Sequence, residues 1–283
     1  MLWFSKGGTS LSKAWNLIER MSEDVDIAID RSFFGFAGQM NRSAITKLRK
    51  ASCLYIVTSL KNQLKYQLEE MGIVGFSLHI PETGDTTVDP QIIELKYETL
   101  FTEDEKTYIK EKVLIEIGSR SMIEPSKNIE IRSIIANSYP QSSFADPLTP
   151  IPTVIPQRTF LEKAFLLHEE FQKPAANIRV ERMSRHLYDL ERLMDTDFAQ
   201  SALEDVLLYQ SIVDHRSKLT AINGIDYATH SPDTINFVPP ELIIEKWRND
   251  YSFMQANMIY GESLSFGKLI ERIKELNERF RGI

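Results

Sequence analysis

Between Asn137 and Pro156 the chain carries Pro140, Pro147, Pro150, Pro152 and Pro156 among several Ser and Thr residues. Each proline fixes φ and removes a backbone donor, so such a run cannot carry a helix and favours extended backbone. The hydrophobic pattern changes across it. Before it, short segments rich in β-branched and aromatic residues read as strands at Val25–Ile29, Val74–Ile80, Ile93–Phe101, Val113–Ile117 and Ile129–Ala136, with turn chemistry at Pro81–Asp85. After it, Phe160, Ala164, Leu167 and Phe171 recur at helical spacing, and Met183, Leu187, Leu190 and Met194 repeat that spacing, which predicts two neighbouring amphipathic helices. Further helices are predicted at Phe198–Val213, Glu241–Asn257 and Ser265–Phe280. The pattern predicts an α/β domain with a mixed sheet over residues 1–140, a proline-rich linker over 141–156 and a helical-bundle domain over 157–283.

A length of 283 residues suits two such domains. The 33 basic and 40 acidic residues give a net charge of −7, which argues against a protein that coats duplex nucleic acid by neutralising phosphates. One segment runs against that balance. Residues 41–65 hold Arg42, Lys47, Arg49, Lys50, Lys61 and Lys65 and no acidic residue, which reads either as a solvated helix face or as a landing face for RNA. Cys53 is the single cysteine, so no intramolecular disulfide forms and a reducing compartment, the cytoplasm, is expected. No apolar run approaches the roughly 20 residues a membrane helix needs, and the first residues lack a signal-peptide layout, so neither a membrane partner nor export is expected.

The most informative stretch is Lys6-Gly7-Gly8-Thr9-Ser10-Leu11-Ser12, then a short helical pattern through Leu17, then Ser22-Glu23-Asp24-Val25-Asp26-Ile27. Two glycines let a bulky polyanion approach the main chain, and the following hydroxyls and helix start offer donors, so Gly7, Gly8, Thr9 and Ser10 suit a triphosphate. If Asp24–Ile29 is a strand, Asp24 and Asp26 share a face, and a carboxylate pair of this kind suits Mg²⁺. Separately, the pieces read as a turn and a solvated pair; together they point to a nucleotide site. Glu116, inside the apolar run Val113–Ile117, reads either as a third metal ligand or as an edge residue paired with Arg120.

The segment Lys6–Ile27 resembles the first motif of the AbiEii/AbiGii-type toxins of the nucleotidyltransferase superfamily. Gln157–Lys163 resembles their second block and Ser184–Leu190 their third, and a fourth similarity runs from Asp214-His215-Arg216 through Trp247–Tyr251 to Gly261, so the resemblance covers nearly the whole chain in order. It implies a nucleotidyltransferase-like fold followed by a helical domain, in the toxic half of a toxin–antitoxin or abortive-infection pair. The implied activity is magnesium-dependent transfer of nucleotides from an NTP to RNA, at the tRNA 3′ end. The implied partners are the NTP, an RNA acceptor and a cognate antitoxin. On the matching positions the resemblance makes Asp24 and Asp26 magnesium ligands, has Lys163 contact the phosphates or the developing charge, and makes Asp189 the essential acid of the third block. From the residues alone, Lys163 also reads as a lysine at the border of its helix's apolar stripe, and Asp189 as part of a surface network with Arg185 and Arg192. His186 and His215 show no metal-ligand spacing. Family members usually carry a helical segment ahead of the Gly-Gly motif, which here begins at Lys6. Loss of that cover would weaken NTP binding and perturb activity. Two alternatives stay open, transfer to a protein or small-molecule hydroxyl and nucleotide binding with impaired catalysis.

Overall fold

The computed structural model describes residues 3–22, 24–38, 40–82, 84–98 and 111–282. By internal contacts the chain divides into two compact units, Met1–Ala14 with Ser22–Val154 and Trp15–Met21 with Ile155–Ile283. The short stretch between the halves of the first motif therefore belongs to the second unit.

In the first unit the strands are β1 (Trp3–Ser5), β2 (Val25–Ile29), β3 (Phe76–His79), β4 (Gln91–Tyr97), β5 (Lys112–Gly118), β6 (Ser126–Ile131) and β7 (Thr149–Val154). Among the described residues they form one seven-stranded mixed sheet in the order β3-β4-β5-β2-β1-β7-β6. β2 runs parallel to β5, β1 pairs with β7 in parallel at Ser5 and Thr153, and the other neighbours are antiparallel. Because side chains alternate along a strand, the two faces of the sheet carry different residues. On one face Ile29, Ile93 and Ile117, flanked by Ile27 and Ile115, pack against Ile56, Tyr55 and Leu60. Those last three come from a helical run of α2 (Arg42–Tyr55), a π-helical turn (Ile56–Leu60) and α3 (Lys61–Glu70). Each aliphatic side chain buried there contributes about 1.5–3 kcal/mol. The other face carries Phe4, Ala28 and Val154, and by alternation Asp26 and Glu116.

The structure corrects several expectations. β2 starts at Val25, and Asp24 lies in a bend before it. The helix opening at Gly7–Thr9 (α1) passes into a π-helical turn at Ser10–Ala14 and stops, with Asn16 at φ +51°, so the helical pattern does not reach Leu17; Asn accepts this left-handed conformation more readily than most residues. The segment Ile129–Ala136 is strand only to Ile131. There Ser133 Oγ accepts from Ala136 N at 3.0 Å and starts α4 (Ile134–Ser138). Of the run Ile93–Phe101, residues 99–101 lie outside the described residues. The stretch expected as a linker contains β7. Pro150 and Pro152 lie two apart, so their missing donors fall on one edge while the other pairs with β6 through Ile129–Ile151 and its neighbours.

The second unit holds α5 (Pro156–Phe171), α6 (Ser184–Leu193), α7 (Asp197–Glu204), α8 (Val206–His215), α9 (Ile244–Asn257) and α10 (Phe266–Arg281). Pro156 occupies the first turn of α5, where its absent donor costs nothing. α5 packs on α6, α7 and α8, and α6 on α9 and α10. The stripes Phe160–Ala164–Leu167 and Met183–Leu187–Leu190–Met194 are buried, alongside Trp247 and Phe280. The helix expected over Phe198–Val213 is two helices, because Asp205 leaves helical geometry and its carboxylate accepts from Leu208 N at 2.9 Å. A 3₁₀ turn at Glu241–Ile243 precedes α9. The Trp15–Met21 segment docks into this unit through Ile18, fully buried, and through Met21 N to Met258 O at 2.7 Å and Tyr260 N to Glu19 O at 3.0 Å.

Candidate functional site

In the first unit the glycine turn and the β2 carboxylate meet directly. Gly7 has φ +70°, a conformation that glycine adopts without penalty. A Cβ built on it would fall 3.0 Å from the Asp26 carboxyl carbon and closer still to Oδ2. Lys6 N donates to Asp26 O at 3.1 Å, fixing the turn against β2. Glycine at position 7 is thus required by backbone angle and by the space the carboxylate occupies. Ser10 is fully buried and its Oγ donates to Gly7 O at 2.9 Å; the Thr9 hydroxyl donates to Asp24 O and lies 2.9 Å from Ser22 Oγ. These two hydroxyls brace the turn, and Gly8 is buried in it.

Asp26 and Glu116 are register partners on the parallel strands β2 and β5, so their side chains stand side by side on one face. β5 is paired on both sides, with β4 and β2, so Glu116 lies on an interior strand and the edge reading is overturned. The alternative partner, Arg120, is held by Asp89: Nε donates to Oδ2 at 3.1 Å and Nη2 to the carbonyl at 2.5 Å. Half-buried and side by side, the two carboxylates turn hard oxygens toward the same face of the sheet. Asp24 is 9% exposed and sits one residue before β2. Among the described residues no group of three or more His, Cys, Asp or Glu side chains is gathered so as to hold a metal ion. Mg²⁺ is commonly held by only one or two carboxylates, with water and phosphate oxygens completing its shell. The paired hard oxygens of Asp26 and Glu116, beside a turn with no side chain at Gly7, fit that ion.

In the second unit the structure brings Lys163 and Asp189 together. Lys163 Nζ lies 2.8 Å from Asp189 Oδ2, and both residues are buried, at 6% and 0% exposure. Lys163, at the border of its helix's apolar stripe, is buried against Asp189; the surface-network reading of Asp189 does not hold, and Arg192 pairs with Glu19 at 3.2 Å. The third member is one the sequence did not reveal. Arg20 Nε donates to Asp189 Oδ1 and Arg20 Nη2 to Oδ2, each at 2.7 Å, in the two-pronged geometry typical of Arg–carboxylate pairs. Burial by itself raises the Asp189 carboxyl, yet Arg20 and Lys163 together hold it well below the usual carboxylate range. Burial lowers the Lys163 ammonium, and Asp189 offsets part of that effect. His186, its Nδ1 3.5 Å from Lys163 Nζ, is held well below its usual value, first by burial and then by Lys163 and Arg185, and is neutral near pH 7. A separate buried network joins Glu169 to Arg216 and to His230 Nε2 at 3.2 Å.

The family described as nucleotidyl transferase AbiEii toxin, type IV TA system, matches residues 3–276, and the chain belongs to it. It is accordingly a nucleotidyltransferase of the toxin–antitoxin class. The search among curated proteins returned no match. Among solved structures the chain is similar to JHP933 from Helicobacter pylori, with 15% identity over 99% of this chain and 84% of that one at a TM-score of 0.40. It is also similar to MenT4, the nucleotidyltransferase toxin Rv2826c of Mycobacterium tuberculosis H37Rv, with 16% identity over 99% of this chain and 85% of that one at a TM-score of 0.40. Among the described residues no helix is long and apolar enough to cross a membrane.

Proposed function

We propose that this nucleotidyltransferase acts in the cytoplasm, is magnesium-dependent, and transfers nucleotides from an NTP to the 3′ end of RNA, with tRNA as the acceptor. The observation that carries the reading is the Asp26 carboxylate set against the Gly7 main chain with Glu116 beside it in register. Gly7 and Gly8 admit the triphosphate to the backbone, while Thr9 and Ser10 hold the turn in shape. Asp26 and Glu116 would hold the metal, which when bound would offset charge on the phosphates and the attacking hydroxyl; Asp24, one residue before the strand, stays close to that pair. The acceptor 3′ oxygen attacks the α-phosphorus, the bond to the leaving pyrophosphate breaks, and the hydroxyl proton passes to solvent or a carboxylate of the site. Lys163, kept in place by Asp189, meets negative charge that develops on the phosphates. A cognate antitoxin restrains the activity, and the pair serves abortive infection.

The test is incubation of purified protein with each labelled NTP, Mg²⁺ and total RNA beside an Asp24→Ala/Asp26→Ala control. Label on the tRNA 3′ end with the intact protein alone supports the reading; label on protein or on a small molecule overturns the acceptor assignment.

A further inference from the structure

We infer that Arg20 is a positioning residue for nucleotidyl transfer, holding the Asp189 carboxylate in the one orientation that places the Lys163 ammonium. The inference rests on the proposed role of Lys163 and Asp189. Arg20 falls within the first motif, Lys6–Ile27, but it belongs neither to that motif's glycine turn nor to its carboxylate pair. It lies four residues before Asp24 in sequence, in a segment with neither helical nor strand periodicity. The fold delivers it to Asp189 by a specific route. Arg20 forms a bridge with Ile259, Met21 N bonds Met258 O at 2.7 Å, Tyr260 N bonds Glu19 O at 3.0 Å, and Glu19 N bonds Tyr188 Oη at 3.3 Å, one residue from Asp189 on α6.

The geometry assigns the work within the triad. Asp189 Oδ2 is shared between Arg20 Nη2 at 2.7 Å and Lys163 Nζ at 2.8 Å, while Arg20 Nε takes Oδ1. A lysine alone leaves a carboxylate free to turn about its last torsion, because an ammonium is a point charge; a guanidinium fork fixes the carboxylate plane. Arg20, 2% exposed, therefore sets where Oδ2 stands, and Oδ2 sets where Lys163 stands. Arg20 also keeps Asp189 ionised. A buried Asp–Lys pair without it can relieve desolvation by moving the proton from nitrogen to oxygen, leaving two neutral groups and no cation for phosphate. The charged groups that act most strongly on Asp189 are Arg20 from the 15–21 segment and Lys163 from α5; Arg185 on α6 acts on Lys163 and His186, and His186 and Tyr188 on α6 feel the charge of Asp189.

The experiment compares Arg20→Gln and Arg20→Lys with wild type and Asp189→Asn in the labelled-NTP assay, measuring kcat, KM for NTP and the pH profile, with a thermal melt of each. Arg20→Gln is expected to lose roughly 10²-fold in kcat, the order that a misplacement of about 1 Å costs. Its acid limb is expected to move to higher pH, because burial is then less opposed at Asp189. Arg20→Lys, which keeps charge and most of the volume, is expected to restore the acid limb and only part of the rate. An Arg20→Gln protein with wild-type rate overturns the inference, as does a slow one whose acid limb has not moved or an Arg20→Lys protein no better than Arg20→Gln. If Asp189→Asn itself transfers at the wild-type rate, the role of Lys163 and Asp189 falls and the inference with it. A slow Asp189→Asn beside a fast Arg20→Gln overturns the inference alone.

Discussion

Replacing Gly7 by alanine separates the two reasons glycine stands there. The first is conformational: a residue with a Cβ at φ +70° is strained by about 1–2 kcal/mol. The second is positional: the new methyl would lie 3.0 Å from the Asp26 carboxyl carbon and nearer to Oδ2, below ordinary contact distance. The carboxylate must retreat by roughly 1 Å, and a misplacement of that order costs about 10²-fold in rate. Gly35 supplies the control. It has φ +79° with nothing within 4 Å of a built Cβ, so Gly35→Ala carries the strain without the collision. Both variants should lose about 1–2 kcal/mol by urea unfolding, small against a typical total of about 5–15 kcal/mol. Transfer of labelled nucleotide should fall about 10²-fold in Gly7→Ala alone. A Gly7→Ala enzyme as active as Gly35→Ala would refute the claim that Asp26 and the turn form one site.

Glu116→Gln should abolish detectable transfer while leaving the fold intact, since the amide keeps the shape of a side chain on interior strand β5; the labelled-NTP assay and a urea titration check both parts. Lys163→Met should destabilise by about 3–5 kcal/mol, because it strands part of a buried ion cluster, and a double-mutant cycle with Asp189→Asn should show strong coupling. Asp189 is held below its unfolded value of about 3.9, so its contribution to stability is present above that pH and lost as pH falls through the folded value. Acid unfolding monitored by circular dichroism should therefore be steeper in wild type than in Asp189→Asn. Reversing the exposed Lys47, Lys50 and Lys65 to Glu should weaken RNA binding and flatten its salt dependence; unchanged filter-binding curves from low to high salt would leave that helix face merely solvated.

What the sequence made legible follows the strength of each local signal. β2 was readable because Val25–Ile29 is short, β-branched and flanked by polar residues, and the helices of the second unit because their stripes persist over three or more turns. Glu116 was singled out by one charge in an apolar strand, and the sheet sets it beside Asp26. β1 escaped because three residues carry no periodicity, and β7 because proline is a poor strand residue unless its missing donor faces an edge. The break at Asp205 was hidden by continuous hydrophobicity, although an Asp three residues before Leu208 is a cap signal. Arg20 sits inside the first motif, but nothing in its spacing points to Asp189. Its importance comes from a carboxylate far along the chain, and only the fold brings them together.

Where label from an NTP goes decides most directly what this nucleotidyltransferase modifies. Total RNA incubated with the protein, each α-labelled NTP and Mg²⁺, then resolved by size and digested from the 3′ end, should show label at tRNA 3′ termini with wild type and none with Asp26→Asn. Label that appears equally with Asp26→Asn, or that stays out of RNA while modifying protein or a small acceptor, would contradict the proposed function.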